Sequence, residues 1–231
     1  MHSIQKKLKR YITRGGEHCS PLQVILHDVQ RELPETVIFG GMVRDFGLSD
    51  ARHFTSDIDL VTTAPACDIY KLIKNHQPIK NKFGGFRFSV SNRLFDIWSL
   101  QDTWAIREGH VEGCSIESLL ETTFFNLDAA FFKISDYRIC ASDSYELNLS
   151  KRLLDINLKK NPSPRQMAIR AVRMAMIKDL FIAPGLAEFV LSELFGRGIS
   201  PALDSYVKNL YMHSLKESDG CFRYDPQLSI W

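Results

Sequence analysis

The chain has 231 residues, of which 45% are hydrophobic, 24% charged and 11% aromatic, a balance that excludes whole-chain disorder, collagen and coiled coil. Lysine and arginine outnumber aspartate and glutamate by 29 to 27, so the total charge singles out no partner. At about 150 residues per domain, the length predicts one main domain with an appended helical piece.

Residues 3–14 are expected to form a short basic helix carrying Lys6, Lys7, Lys9, Arg10 and Arg14, broken by Gly15-Gly16. Ser20-Pro21 reads as an N-cap with proline at the first helical position. Ile25, Leu26, Val29 and Leu33 then recur at helical spacing, predicting a helix over 21–33. After Pro34, the β-branched run Thr36-Val37-Ile38-Phe39 predicts a strand entering Gly40-Gly41. A short helix over 42–48 and a polar loop over 49–56, containing His53, lead to an alternating strand at 57–63. A helix over 65–76 is followed by three strand-like runs, 79–83, 86–90 and 94–98, with Gly84-Gly85 as a tight hairpin between the first two. Helices mixed with a cluster of strands predict an α+β fold with a mixed sheet. The Phe-rich segment 124–132 reads as core, and Trp98 and Trp104 as packing at the sheet edge. From Ser163 onward three helices are expected, near 164–180, 185–195 and 201–215, before a last dozen residues without periodicity. The chain thus divides into a basic extension (1–20), a main domain (21–150) and a helical region (151–231).

No stretch reaches the ~20 apolar residues of a membrane span, and the basic N-terminus lacks the apolar core of a signal peptide. Cys19, Cys67, Cys114, Cys140 and Cys221 are scattered, with no Cys-x-x-Cys pair, and read as free thiols. A cytoplasmic protein without a membrane partner is expected.

The chemistry concentrates in FGGMVRD (39–45) and SDIDLVT (56–62). Asp57 and Asp59 are two apart on a strand, so their carboxylates leave one face. Two such acids repel unless a cation lies between them, and Mg²⁺ prefers one or two carboxylates plus substrate phosphates. Alone, the pair also reads as two solvated acids at a strand end. Gly40-Gly41, between a strand and a helix, can bring bare backbone N–H groups to a phosphate, or simply make a tight turn. Asp96 interrupts the apolar run Leu94-Phe95-Asp96-Ile97-Trp98; an acid there needs a metal, an edge-strand position, or an arginine such as Arg93 or Arg87. Together these signals describe a phosphate cradle facing a three-carboxylate metal site, suited to two-metal phosphoryl or nucleotidyl transfer.

GGMVRD followed by DIDLVT resembles the head-domain signature of the transfer-RNA CCA-adding enzymes and bacterial poly(A) polymerases, within the DNA polymerase β-like nucleotidyltransferase superfamily. NKFGGFRFSV resembles the Phe-Gly hairpin preceding that family's third carboxylate, matched here by Asp96, and MAIRAVRMA (167–175) is similar to its Arg-rich neck helix. The resemblance implies a β-polymerase-like head followed by a short helical neck. It implies that Asp57, Asp59 and Asp96 are catalytic and hold Mg²⁺, with Mn²⁺ as a substitute. Gly40, Gly41 and Arg44, with Arg170 and Arg173 on the neck, would hold a nucleoside triphosphate, and Asp45 would brace the loop. The implied reaction transfers a nucleoside monophosphate to an acceptor hydroxyl, an RNA 3′ end being favoured, and releases pyrophosphate.

The departures from the family are specific. The spacing from Gly41 to Asp57 is longer by a few residues. The family's Arg-Arg-Asp-Phe-Thr-x-Asn stretch is matched only by Thr122-Thr123-Phe124-Phe125-Asn126-Leu127-Asp128, without arginines. The Asp and Arg that read the incoming base fall on Pro164 and Met167, neither able to make those hydrogen bonds. The length leaves little room for body and tail domains. These departures keep two further readings open: a catalytically silent nucleotide- or protein-binding module, and a signalling or defence enzyme joining nucleotides to one another. Lys159, Lys160, Arg165, Arg170, Arg173 and Lys178, with no acid among residues 159–178, could line a triphosphate or a nucleic-acid backbone, as could the basic N-terminal helix.

Overall fold

A computed structural model describes residues 1–13, 20–49, 54, 56–195, 215–218 and 221–224. The chain forms two compact units, one comprising Met1–Thr123 with Asp128–Glu146, the other Phe124–Leu127 with the chain from Leu147 onward.

The first unit opens with α1 (His2–Thr13), which buries Ile4, Leu8 and Ile12 at successive turns. Its basic face is partly structural: Lys7 Nζ donates to the carbonyls of Phe46 and Ser49, and Lys9 lies 4.7 Å from the Tyr137 ring centroid. Helix α2 (Ser20–Glu32) buries Leu22, Ile25, Leu26 and Val29, the expected stripe. Then come β1 (Val37–Phe39), α3 (Gly41–Leu48), β2 (Ile58–Thr62), α4 (Ala66–Ile73), β3 (Ile79–Lys80), β4 (Phe86–Val90) and β5 (Arg93–Ser99). The short α5 (Trp104–Arg107) and α6 (Leu119–Thr122) precede β6 (Ala130–Lys133) and β7 (Ile139–Ala141).

These strands form one seven-stranded sheet, ordered β3-β4-β5-β2-β1-β6-β7. Only β2 and β5 run parallel, which places Asp59 directly beside Asp96. The chain can return parallel because α4 and the β3–β4 excursion lie between the two strands. The expected α+β mixed sheet is present. Strand β5 is interior, so neither Asp96 nor Trp98 occupies a sheet edge. Trp98 instead packs beside a core of Phe39, Val61, Leu100 and Phe131, its indole N–H donating to Thr103 Oγ1 at 3.0 Å.

The tightest hairpin is not at Gly84-Gly85 but at Ser91-Asn92, both with positive φ, joining β4 to β5 with Val90 opposite Arg93. Residues 81–85 form a wider loop, in which Asn81 Oδ1 accepts the N–H groups of Phe83 and Gly85. Gly85 lies so close to β5 that a Cβ there would fall 2.9 Å from Trp98 Cβ.

Helix α7 (Tyr145–Ser150) carries the chain into the second unit. There β8 (Leu153–Leu154) pairs parallel with β9 (Phe181–Ile182), and β11 (Cys221–Tyr224) joins β9 to β10 (Leu215–Ser218). Helices α8 (Pro164–Lys178) and α9 (Pro184–Phe195) match two of the three predicted helices. The third, 201–215, lies outside the described residues except Leu215, which begins β10. Four residues of the C-terminal segment without periodicity form β11. The predictions for Arg14 to Cys19 and for His53 also lie outside the described residues. Cys67, Cys114 and Cys140 are free thiols, and no helix among the described residues is long and apolar enough to cross a membrane.

Candidate active site

Asp57 immediately precedes β2, and Asp59 is its second residue, so the alternating strand sends both carboxylates to one face while Ile58 and Leu60 are buried on the other. The register of the parallel pair sets Asp96 beside Asp59. As a result Asp57, Asp59 and Asp96 each offer a carboxylate oxygen, all within 4.8 Å of one another. The donor set is all oxygen and carries three formal negative charges, which suits a hard divalent cation such as Mg²⁺.

A fourth residue completes this cluster. Arg87 stands on β4 directly opposite Asp96. Its Nε donates to Asp96 Oδ1 at 2.9 Å, and its Nη2 donates both to the other Asp96 oxygen and to Asp57 Oδ2, the latter at 3.1 Å. The hydrogen bonds and charge of Asp96, then the charges of Asp57 and Asp59, hold the guanidinium pKa above its ordinary value despite some desolvation. Of the two arginines suggested as partners for Asp96, Arg87 is the one bonded to it; Arg93 Nη1 donates instead to the Phe54 carbonyl at 3.3 Å. That Arg87 also reaches Asp57, 30 residues away, has no local signal in the chain.

Beside the carboxylates a cavity of about 210 Å³ opens, with Asp59 and Asp96 on one side and Phe83, Trp98, Asp102 and Trp104 on the others. Gly84, at φ +100°, brings the 81–85 loop against the Asp102 carboxylate. Both tryptophans therefore serve packing and a cavity wall at once.

Strand β1 runs into Gly40, whose φ of +63° combined with ψ of −109° lies outside the left-handed helical region and favours glycine. The Gly40 N–H donates to the Ala130 carbonyl at 2.8 Å, so it is not one of the bare donors anticipated from the sequence. The N–H groups of Gly41, Met42 and Val43 open α3 and have no acceptor within the helix.

Arg44, expected to touch a triphosphate, has a side chain only 6% exposed. Its Nε donates to Asp45 Oδ1 at 2.9 Å and its Nη1 to Asp128 Oδ1. Burial opposes the guanidinium charge, but Asp128 and Asp45 outweigh it and raise the pKa above the usual value. Asp45 Oδ2 also accepts from Ser56 Oγ at 3.3 Å, tying α3 to the approach of β2. Sequence reasoning missed Asp128, although an acid beside the apolar run Ala129–Phe132 was a signal of the kind that singled out Asp96. Tyr145 lies close enough for its pKa to be raised, first by burial and then by Asp128, and its hydroxyl is buried without a hydrogen-bond partner among the described residues.

In the second unit, Arg170 and Arg173 are exposed on α8, three residues apart. The Arg170 guanidinium lies 5.8 Å from the Phe125 ring centroid. Pro164 begins this helix and Met167 follows within its first turn. The segment matched to the family's arginine-containing stretch is structural here. Phe125 is 1% exposed, and Asn126 exchanges hydrogen bonds with Leu153 and Asp155.

No family model and no curated protein matches this sequence, but solved structures match its fold. A CCA-adding enzyme in an apo form superposes with a TM-score of 0.61 at 15% identity, covering 91% of this chain and 60% of that one. A CCA-adding enzyme in complex with ATP gives 0.59 at 16% identity, covering 89% and 59%. A transfer-RNA nucleotidyltransferase, in complex with a primer transfer RNA and an incoming ATP analogue, gives 0.51 at 20% identity, covering 69% and 46%. This chain therefore spans between about half and three fifths of those proteins. At such identity what is shared is the architecture: the chain has the fold of the CCA-adding enzymes.

Proposed function

We propose that the protein is a metal-dependent nucleotidyltransferase that moves a nucleoside monophosphate from a nucleoside triphosphate to an acceptor hydroxyl, releasing pyrophosphate. An RNA 3′ end is the favoured acceptor. The observation that carries this reading is the convergence of Asp57, Asp59 and Asp96 within 4.8 Å on one face of two parallel strands. Such a carboxylate cluster is costly without a cation. These three residues would hold Mg²⁺ or Mn²⁺, which when bound lowers the pKa of an attacking hydroxyl and neutralises charge at phosphorus.

The remaining roles belong to the chain's own groups. The N–H groups of Gly41, Met42 and Val43, at the positive end of α3, orient phosphate oxygens. Gly40 supplies the backbone conformation that aims them. Arg44 acts through position rather than contact, clamping the start of α3 to Asp128. Arg170 and Arg173, exposed on α8 of the second unit, are the arginines that the family resemblance assigns to the nucleotide. With Pro164 and Met167 in place of a base-reading pair, nucleotide choice is relaxed or purine-biased. Asp96 is placed to orient the acceptor hydroxyl, because it borders the cavity lined by Phe83, Trp98 and Trp104.

A silent binding module is the second reading, favoured by the burial of the segment matched to the family's arginine-containing stretch. Incubation with Mg²⁺ and each of four α-labelled nucleoside triphosphates, with and without total RNA, separates the two. Label transfer that disappears in Asp57→Ala plus Asp59→Ala protein supports the enzyme. Absence of transfer and of pyrophosphate, with Mn²⁺ as well, supports the silent module.

A further inference from the structure

The carboxylate cluster already contains a cation of its own. Arg87 reaches two of its three acids with one guanidinium, forked onto Asp96 and extended to Asp57. This contact is built by the backbone. The two-residue turn at Ser91-Asn92 fixes Arg87 opposite Asp96, and the parallel register fixes Asp96 beside Asp59. A planar fork suits bidentate carboxylate binding better than any other side chain. Yet the Arg87 side chain is 51% exposed, so it can leave without opening the core.

We infer that Arg87 is a resident counter-cation, occupying the position between Asp57 and Asp96 that a divalent ion takes, and that the ion enters by displacing it. This rests on the metal-dependent reading above and adds what sets the site's affinity. With Arg87 in place the formal charge of the cluster is −2 rather than −3, and both oxygens of Asp96 and one of Asp57 are already engaged. The site therefore stays assembled without a metal and binds one only weakly. The displaced guanidinium is long enough to take up a new anionic partner, and the phosphates of the incoming nucleotide are the anions that arrive with the ion.

The test is a titration of the full chain with Mn²⁺ alone, read as loss of the free-ion electron paramagnetic resonance signal. Wild type, Arg87→Gln, Arg87→Lys and Asp57→Asn plus Asp59→Asn are compared. A guanidinium that must be displaced gives up its attraction to two carboxylates at ~4 Å, so in a dielectric close to that of water its removal corresponds to roughly 30-fold tighter binding of the ion. Arg87→Gln is expected to gain about that factor. Arg87→Lys keeps the charge without the fork and falls between wild type and Arg87→Gln. Thermal melts give a second readout, since at a given concentration Mg²⁺ stabilises the native state more the tighter it binds: it raises the melting temperature of Arg87→Gln more than that of wild type. Equal Mn²⁺ affinity in wild type and Arg87→Gln, lost in the double aspartate variant, overturns the role of Arg87 and leaves the metal site standing. No Mn²⁺ binding by any of the four proteins overturns both.

Discussion

Replacing Arg44 by methionine separates a brace from a substrate ligand. The guanidinium is enclosed, with side-chain exposures of 6% for Arg44, 7% for Asp45 and 11% for Asp128. Methionine fills much of the volume but leaves two buried carboxylates facing each other without a counter-charge. Breaking a buried ion pair in this way costs about 3–5 kcal/mol. For a chain of this size each kcal/mol is worth about 2–4 °C, so the first unit should melt roughly 6–20 °C lower, read from the fluorescence of Trp98 and Trp104. Asp128→Asn is milder, because the Arg44–Asp45 pair survives and one charged hydrogen bond is lost, at about 1.5–3 kcal/mol. An Arg44→Met protein that melts with wild type yet fails to bind nucleotide would refute the brace and make Arg44 a direct ligand.

Tyr145→Phe removes a buried hydroxyl that has no partner among the described residues and should stabilise the first unit by about 1 kcal/mol in a urea titration; a loss of that size would reveal a hydrogen bond. Because burial raises the Tyr145 pKa, wild type should lose stability above about pH 10 as the unfolded phenol ionises, and Tyr145→Phe should lose less. Gly85→Ala places a methyl group 2.9 Å from Trp98 Cβ and 3.3 Å from the Ile97 carbonyl, and should cost about 1–3 kcal/mol while disturbing the cavity beside Asp96. An unchanged melting curve would show that the loop yields freely. Asp59→Asn keeps the size of the side chain but removes charge at the centre of the cluster; label transfer should fall at least about 100-fold, and retention of activity would displace Asp59 from the catalytic set.

Much of this arrangement is legible before folding, and the boundary of legibility is physical. Asp57 and Asp59 declare themselves because strand alternation is local. The pairing of Arg87 with Asp96 is also encoded locally, since a two-residue turn at Ser91-Asn92 aligns exactly those positions; the turn escapes notice because Ser-Asn lacks the glycine that usually marks one. The neighbourhood of Asp59 and Asp96 depends on a parallel register across 37 positions, with no local signature. Arg44 is the instructive case. Its place in a family motif suggests contact with phosphate, whereas its partner Asp128 lies 84 residues away, and only the folded sheet brings that charge to it.

The segment Phe124–Leu127 belongs to the second unit, while the residues on either side of it belong to the first, so the chain passes between the units three times. Neither unit is consequently a detachable module. A cut after Glu146 would leave Phe124–Leu127 on the N-terminal fragment, while Leu153 and Asp155, which bond to Asn126, would go with the other. Fragments made in this way should remain associated after nicking and fold poorly when produced alone, and a graft of the head onto a different neck must carry those four residues' partners with it. The carboxylate face and the arginine helix are separable on paper, but by connectivity they are inherited together.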